Sequence, residues 1–185
     1  MRNITCMVWE PSLLDSEEGI RFRGYSIPEL QEKLPRAPKG KEPLPEGLFW
    51  LMLVGEIPTK DQVKWLTENW VRRANVSEHV FRTIDALPPE THPMTQLSVA
   101  IMAMQNTSVF AQRYASGMNK TEYWGATYYD AMYLNAKLPR VAAYIYRRVY
   151  HNGERTLPDI SLDCAGNFAH MLGFADPQIK EYQSL

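Results

Sequence analysis

Glu122 to Tyr150 reads EYWGATYYDAMYLNAKLPRVAAYIYRRVY, with apolar side chains at Trp124, Tyr128, Ala131, Leu134, Leu138, Ala142, Ile145 and Val149. Steps of three and four place them on one side of an α-helix. Pro139 lies mid-way, where it removes one backbone donor, so the spacing predicts one long helix kinked at the proline rather than two helices. A helix of that length needs other helices to cover its apolar side, which predicts a mainly α fold.

The flanking sequence agrees. On the C-terminal side, Asn152-Gly153 and Pro158 mark a loop, and a short helix is expected around Asn167 to Leu172, ended by Gly173. Asp176-Pro177 opens a further helix before Leu185. On the N-terminal side, Thr107 to Met118 reads as a helix. Before it, His92-Pro93 starts an apolar face with Met94, Leu97, Ile101 and Met104, and small Ser98 and Ala100. His92 stands where an imidazole accepts backbone N–H bonds as a cap. Ser77 caps a helix carrying Val80, Phe81, Ile84 and Leu87, stopped by Pro88-Pro89. Thr59 with Gln62 and Ser26 with Glu29 are capping boxes, starting helices that carry Val63, Leu66 and Trp70, and that run to Leu34. Pro45 to Val54 is almost wholly apolar and closed by Gly55, as in a helix buried on most sides.

Strand character is confined to the start. Ile4 to Trp9 and Ile20 to Tyr25 suit strands, and Asp15-Ser16-Glu17-Glu18-Gly19 suits the turn of a hairpin, so residues 1–25 are expected as a β-hairpin and 26–185 as helical, within one domain of 1–185.

Composition narrows the function classes. The 185 residues carry 20 Lys plus Arg against 21 Asp plus Glu, a net charge of -1, which leaves no massed positive charge for gripping nucleic acid. With 45% hydrophobic and 22% charged residues the chain has globular rather than disordered proportions. Its longest apolar run, Leu48 to Val54, is far below the ~20 residues of a membrane span. Met1 to Thr5 shows neither a secretory nor a transit-peptide pattern. Cys6 and Cys164 are far apart and form no metal knuckle, which fits a reducing compartment.

The four histidines, His79, His92, His151 and His170, show no HExxH or other paired ligand spacing, so no metal site is expected. No glycine loop of the GxGxxG or P-loop kind occurs. The tyrosines and tryptophan of 123–150 are expected in core or interface, Arg21 and Arg23 on the solvated face of the hairpin, and Arg147-Arg148 as complements to a helix dipole.

Several blocks carry a resemblance. Glu18-Gly19-Ile20-Arg21-Phe22-Arg23-Gly24-Tyr25-Ser26-Ile27-Pro28-Glu29, Glu42-Pro43-Leu44-Pro45-Glu46-Gly47-Leu48-Phe49-Trp50, Gly55-Glu56-Ile57-Pro58-Thr59, His92-Pro93-Met94-Thr95-Gln96-Leu97, Lys137-Leu138-Pro139-Arg140-Val141-Ala142-Ala143 and Asn167-Phe168-Ala169-His170-Met171-Leu172-Gly173 run in order along the chain. Together they resemble citrate synthase of the eukaryotic mitochondrial type, in the N-terminal portion of its large domain.

That resemblance implies an all-α domain of a homodimer, with the Pro93–Gln105 helix at the subunit interface. It implies the mitochondrial matrix and a transferase reaction of the tricarboxylic acid cycle, in which acetyl-CoA, oxaloacetate and water give citrate and CoA. The family's catalytic carboxylate and two histidines lie beyond the position equivalent to Leu185. Residues 1–185 are therefore expected to supply no catalytic residue, to bind no cofactor alone, and to be inactive alone. Two positions match family arginines that meet CoA phosphate: Arg2, and Lys120, where lysine keeps the charge but loses the planar fork. Each also has a plain structural reading, Arg2 as a chain terminus and Lys120 as a solvated residue ahead of a helix. The resemblance leaves helix faces uncovered, to be met by a second copy or a complementary protein partner. The alternative is a non-catalytic relative serving as a structural or assembly subunit of a mitochondrial complex.

Overall fold

The computed structural model of the chain describes residues 12–37 and 40–174. A three-stranded antiparallel sheet, β1 (Ser12–Asp15), β2 (Gly19–Phe22) and β3 (Tyr25–Ser26), leads into eight α-helices. The expected strand at Ile4–Trp9 lies outside the described residues; within them, β2 pairs with Ser12–Asp15. The acidic turn is held by Asp15, whose carboxylate accepts from the Glu17 and Glu18 amides at 2.8 and 2.9 Å. The single strand expected over Ile20–Tyr25 is divided. Arg23 and Gly24 both have positive φ, 51° and 87°, the geometry of a tight hairpin turn, so Tyr25 folds back onto Phe22 as a third strand.

The helices begin largely where side-chain caps place them. Ser26 and Thr59 both form complete capping boxes, opening α1 (Ile27–Lys33) and α3 (Lys60–Arg73). Between them α2 (Pro45–Val54) ends on left-handed Gly55. The apolar α2 is less enclosed than its sequence predicts: Glu46, Gly47 and Leu51 are buried, while Leu53 and Val54 are exposed. Ser77 does stand at the start of α4 (Glu78–Asp85), yet its hydroxyl makes no cap bond. His92 behaves as expected, its Nδ1 accepting from Met94 N at 3.2 Å at the start of α5 (Pro93–Ala103). The apolar face read to Gln105 therefore ends its α-helical part at Ala103 and tightens into a 3-10 turn over Met104–Thr107.

α6 (Val109–Ala115) is followed by a 3-10 turn at Lys120–Glu122, and then by α7 (Tyr123–Tyr150), one uninterrupted helix with Pro139 inside it. α8 (Cys164–Leu172) starts three residues earlier than the Asn167 expected. The reason is Asp163, whose carboxylate caps Gly166 N at 2.8 Å.

α7 is the spine. Its N-terminal half packs Met132 and Ala136 against Leu66 and Trp70 of α3, with Phe49 of α2 and Cys164 of α8 alongside. Its C-terminal half packs Val141, Tyr144 and Ile145 against Val80, Phe81 and Ile84 of α4 and Ala100 of α5. A third cluster, Leu30, Leu34 and Leu51 with Phe22 and Tyr25, joins the sheet to α1 and α2. Arg23, expected on a solvated face, instead donates through Nε and Nη2 to Met52 O at 3.1 and 2.7 Å, fastening the hairpin to the end of α2.

Candidate subunit interface and phosphate-contact positions

α5 turns Gln96 and Ala100 inward and leaves Ser98 exposed. Ala100 and Gln96 are fully buried, Leu97 packs against the α4–α7 cluster, and Met94, Ile101 and Met102 are exposed. Met94 and Ile101 belong to the predicted apolar stripe, so that stripe is shared between the core and the outside. α6 and the first half of α7 continue the pattern, with Tyr114, Tyr128, Tyr129 and Leu134 exposed, and Trp124 and Met102 each 76% exposed. Large apolar side chains left outward on three adjoining helices make this face a candidate interaction surface.

The elements carrying that surface are held by polar bonds, most of them part-buried, that no local pattern announces. Gln96 donates to Thr91 O at 2.7 Å, and its Oε1 accepts from Arg148 Nη1 at 3.0 Å. Arg148 Nη2 donates to Leu87 O at 2.6 Å. One guanidinium near the end of α7 thus pins both the proline-rich bend and α5, well beyond a helix-dipole role. Arg147 donates to Glu154 O at 2.9 Å and to Leu172 O at 3.3 Å, anchoring the following loop and the end of α8. Asp130 of α7 accepts from the Ser108 hydroxyl and from the Val109 and Phe110 amides at 2.6 to 3.0 Å, so α6 hangs from α7.

Of the two phosphate-contact candidates, Arg2 lies outside the described residues. Lys120 sits at the α6–α7 corner, exposed, at the first position of its 3-10 turn. Asn119 forms that turn, its Oδ1 accepting from Thr121 N and Thr121 Oγ1 at 3.0 Å each, and an Arg113–Glu122 ion pair at 3.3 Å flanks it. Lys120 and the exposed Trp124 are four positions apart.

A separate buried site lies where α2, α3 and α8 meet. Glu46 is fully buried; its Oε1 accepts from Thr67 Oγ1 at 3.0 Å and Cys164 N at 3.4 Å, while Oε2 has no partner. Burial holds its carboxyl above the ordinary range, with the Thr67 and Cys164 bonds opposing. The same burial raises Asp163, and pushes the Cys164 thiol up to about 12 with Glu46 and Asp163 adding to it. A thiol so high is no nucleophile near neutral pH.

The histidines are tied into the fold: His79 Nε2 meets Ala103 O at 2.9 Å, His170 Nε2 meets Leu157 O at 3.1 Å, and His151 lies against Tyr146 at 5.2 Å. Among the described residues no group of three or more His, Cys, Asp or Glu is placed to hold a metal ion, and no helix is long and apolar enough to cross a membrane.

The family described as "Citrate synthase, C-terminal domain" matches residues 1–184. The chain belongs to the citrate synthase family. It is 56% identical over 185 residues to a mitochondrial citrate synthase of Daucus carota, covering all of this chain and 39% of that protein. It is 55% identical over 177 residues to a mitochondrial 2-methylcitrate synthase of Yarrowia lipolytica, covering 95% and 38%. The chain thus spans about two-fifths of the length of these curated relatives. Among solved structures, citrate synthase from Pyrobaculum aerophilum superposes with a TM-score of 0.77 at 24% identity, over 96% of this chain and 43% of that one. The Thermoplasma acidophilum enzyme, solved as a ternary complex with carboxymethyl coenzyme A and oxaloacetate, superposes at 0.70 with 19% identity, over 91% and 40%. At those identities the two structures establish the shared helical fold of the citrate synthase family.

Proposed function

We propose that residues 1–185 form, as one domain, the helical scaffold and subunit face of a mitochondrial-matrix synthase that condenses acetyl-CoA with oxaloacetate and water to give citrate and CoA. The observation that carries this reading is the family match over 1–184, in a chain whose α5, α6 and α7 leave Met102, Tyr114 and Trp124 outward. A second copy covers that face in a homodimer, with α5 and the turn after it (93–105) at its centre. Lys120, and Arg2 beyond the described residues, supply positive charge to CoA phosphate; the lysine does so as a point charge. The base and the two histidines come from polypeptide outside residues 1–185.

The relative named for 2-methylcitrate raises a second acyl donor, longer by one carbon, as a substrate of the same site. The test measures CoA release with oxaloacetate and either acetyl-CoA or propionyl-CoA, comparing residues 1–185 alone with residues 1–185 plus a polypeptide that supplies the base and the two histidines. Turnover only with that polypeptide is expected, with acetyl-CoA preferred; turnover by 1–185 alone overturns the division of labour. A mixture inactive with both donors overturns the catalytic reading in favour of a structural or assembly subunit.

A further inference from the structure

A cavity of about 60 Å³ opens between α4, the second half of α7 and the loop that follows it. Arg140, Arg147 and Arg155 line it together with Thr156, and no carboxylate does. Two of these cations have acids elsewhere. Arg147 pairs with Glu154 at 2.9 Å, and Arg155 with Glu78 at 3.4 Å and Asp85 at 3.6 Å. Arg140 has no carboxylate within 4.0 Å among the described residues; it donates only to the neutral Asn75 Oδ1 at 3.3 Å. Arg140 and Arg155 also share an aromatic ring, their Cζ atoms 5.5 and 4.9 Å from the centre of Phe81. Burial, and then the repulsion of Arg155, pull the Arg140 guanidinium below its ordinary range, with the attraction of Glu78 opposing.

Guanidinium groups lining a space without acids, one of them with no ion pair within 4.0 Å among the described residues and all of them donors only, form a site complementary to negative charge. We propose that this cavity binds a small oxyanion, a carboxylate or phosphate group, between Arg140 and Arg155. The size selects the ligand: the space exceeds one water but is far below the roughly 300 Å³ of a pocket for a whole cofactor or nucleotide. The group held here is therefore a small oxyanion, and the fork of Arg140, which gives only Nη1 to Asn75, suits its paired oxygens. The site is separate from Lys120 and does not depend on the proposed reaction.

Inorganic phosphate is titrated calorimetrically into the full chain at constant ionic strength, with acetate as a second probe and with CoA present or absent. Saturable binding that persists with CoA bound is expected. It falls by about ten-fold or more in Arg140→Leu, from the loss of charged hydrogen bonds. It falls several-fold in Arg140→Lys, which keeps the charge and the fold but not the fork, and it is unchanged in Arg82→Leu on the exposed side of α4. Phosphate binding that CoA abolishes, that Arg140→Lys and Arg140→Leu leave intact, or that does not saturate overturns the site. Acetate binding with phosphate excluded restricts the ligand to carboxylates. A soak with selenate places the ion: an anomalous peak between Arg140 and Arg155 is expected, and a peak found only elsewhere overturns the proposal.

Discussion

Glu46 shows how a single buried side chain couples the fold to pH. Its carboxyl is held above the ordinary value of 4.5 by burial, so the folded state binds this proton more tightly than the unfolded chain. The contribution is complete below the ordinary carboxylate range and is lost as pH rises through the folded value, at no more than about 1.4 kcal/mol per pH unit. Urea midpoints of Glu46→Gln are expected to decline less than those of wild type above pH 5; parallel curves refute the assignment. Arg148 acts differently, through bonds to Gln96 and Leu87 O. Replacing it with Met strands the buried Gln96 Oε1 and the half-buried Leu87 carbonyl, at a cost of about 1–3 kcal/mol, visible as a lower urea midpoint with an unchanged slope. Neither residue signals itself in the sequence. Gln96 and Arg148 are 52 positions apart, and Glu46 and Cys164 are 118 apart, so only the assembled fold shows that they meet.

At the level of helices and strands, local chemistry was far more readable. The capping pairs Ser26/Glu29 and Thr59/Gln62, the Gly55 stop and the helix over 123–150 each rest on local residues and each stand in the structure. The stripe read along that helix does not: of its residues only Ile145 is buried, Trp124, Tyr128 and Leu134 are exposed, and the core face runs instead through Met132, Ala136, Val141 and Tyr144. Where a boundary moved, a longer-range or overlooked partner moved it: Asp163 extended α8, and the Arg23-Gly24 turn made one strand into two. Ser77 is instructive because the residue type fits a cap and the bond is missing. Thr59→Ala is therefore expected to lower stability by about 1 kcal/mol, and Ser77→Ala to change it by only a few tenths, by thermal or chemical unfolding. Equal losses count against this distinction.

For the whole molecule, the family was legible only through ordered blocks along the chain; charge, composition and periodicity stopped at a mainly helical protein. The two candidate phosphate-contact positions came from the same resemblance but lie outside those blocks, and only Lys120 falls within the described residues. The exposed side of α5–α7 carries the remaining prediction. Met102→Asp with Trp124→Asp changes two side chains that the core does not use, so helicity by circular dichroism is expected to remain. In the full chain, sedimentation is expected to shift from dimer to monomer, by a loss of about ten-fold or more in association. An unchanged dimer places the subunit contact on another face.

α6 begins on a carboxylate borrowed from Asp130, 20 to 22 residues further along the chain. Seven residues are too few to hold helical shape in water alone. This short segment is consequently expected to stay unwound during synthesis until its longer neighbour has left the ribosome and turned back over it.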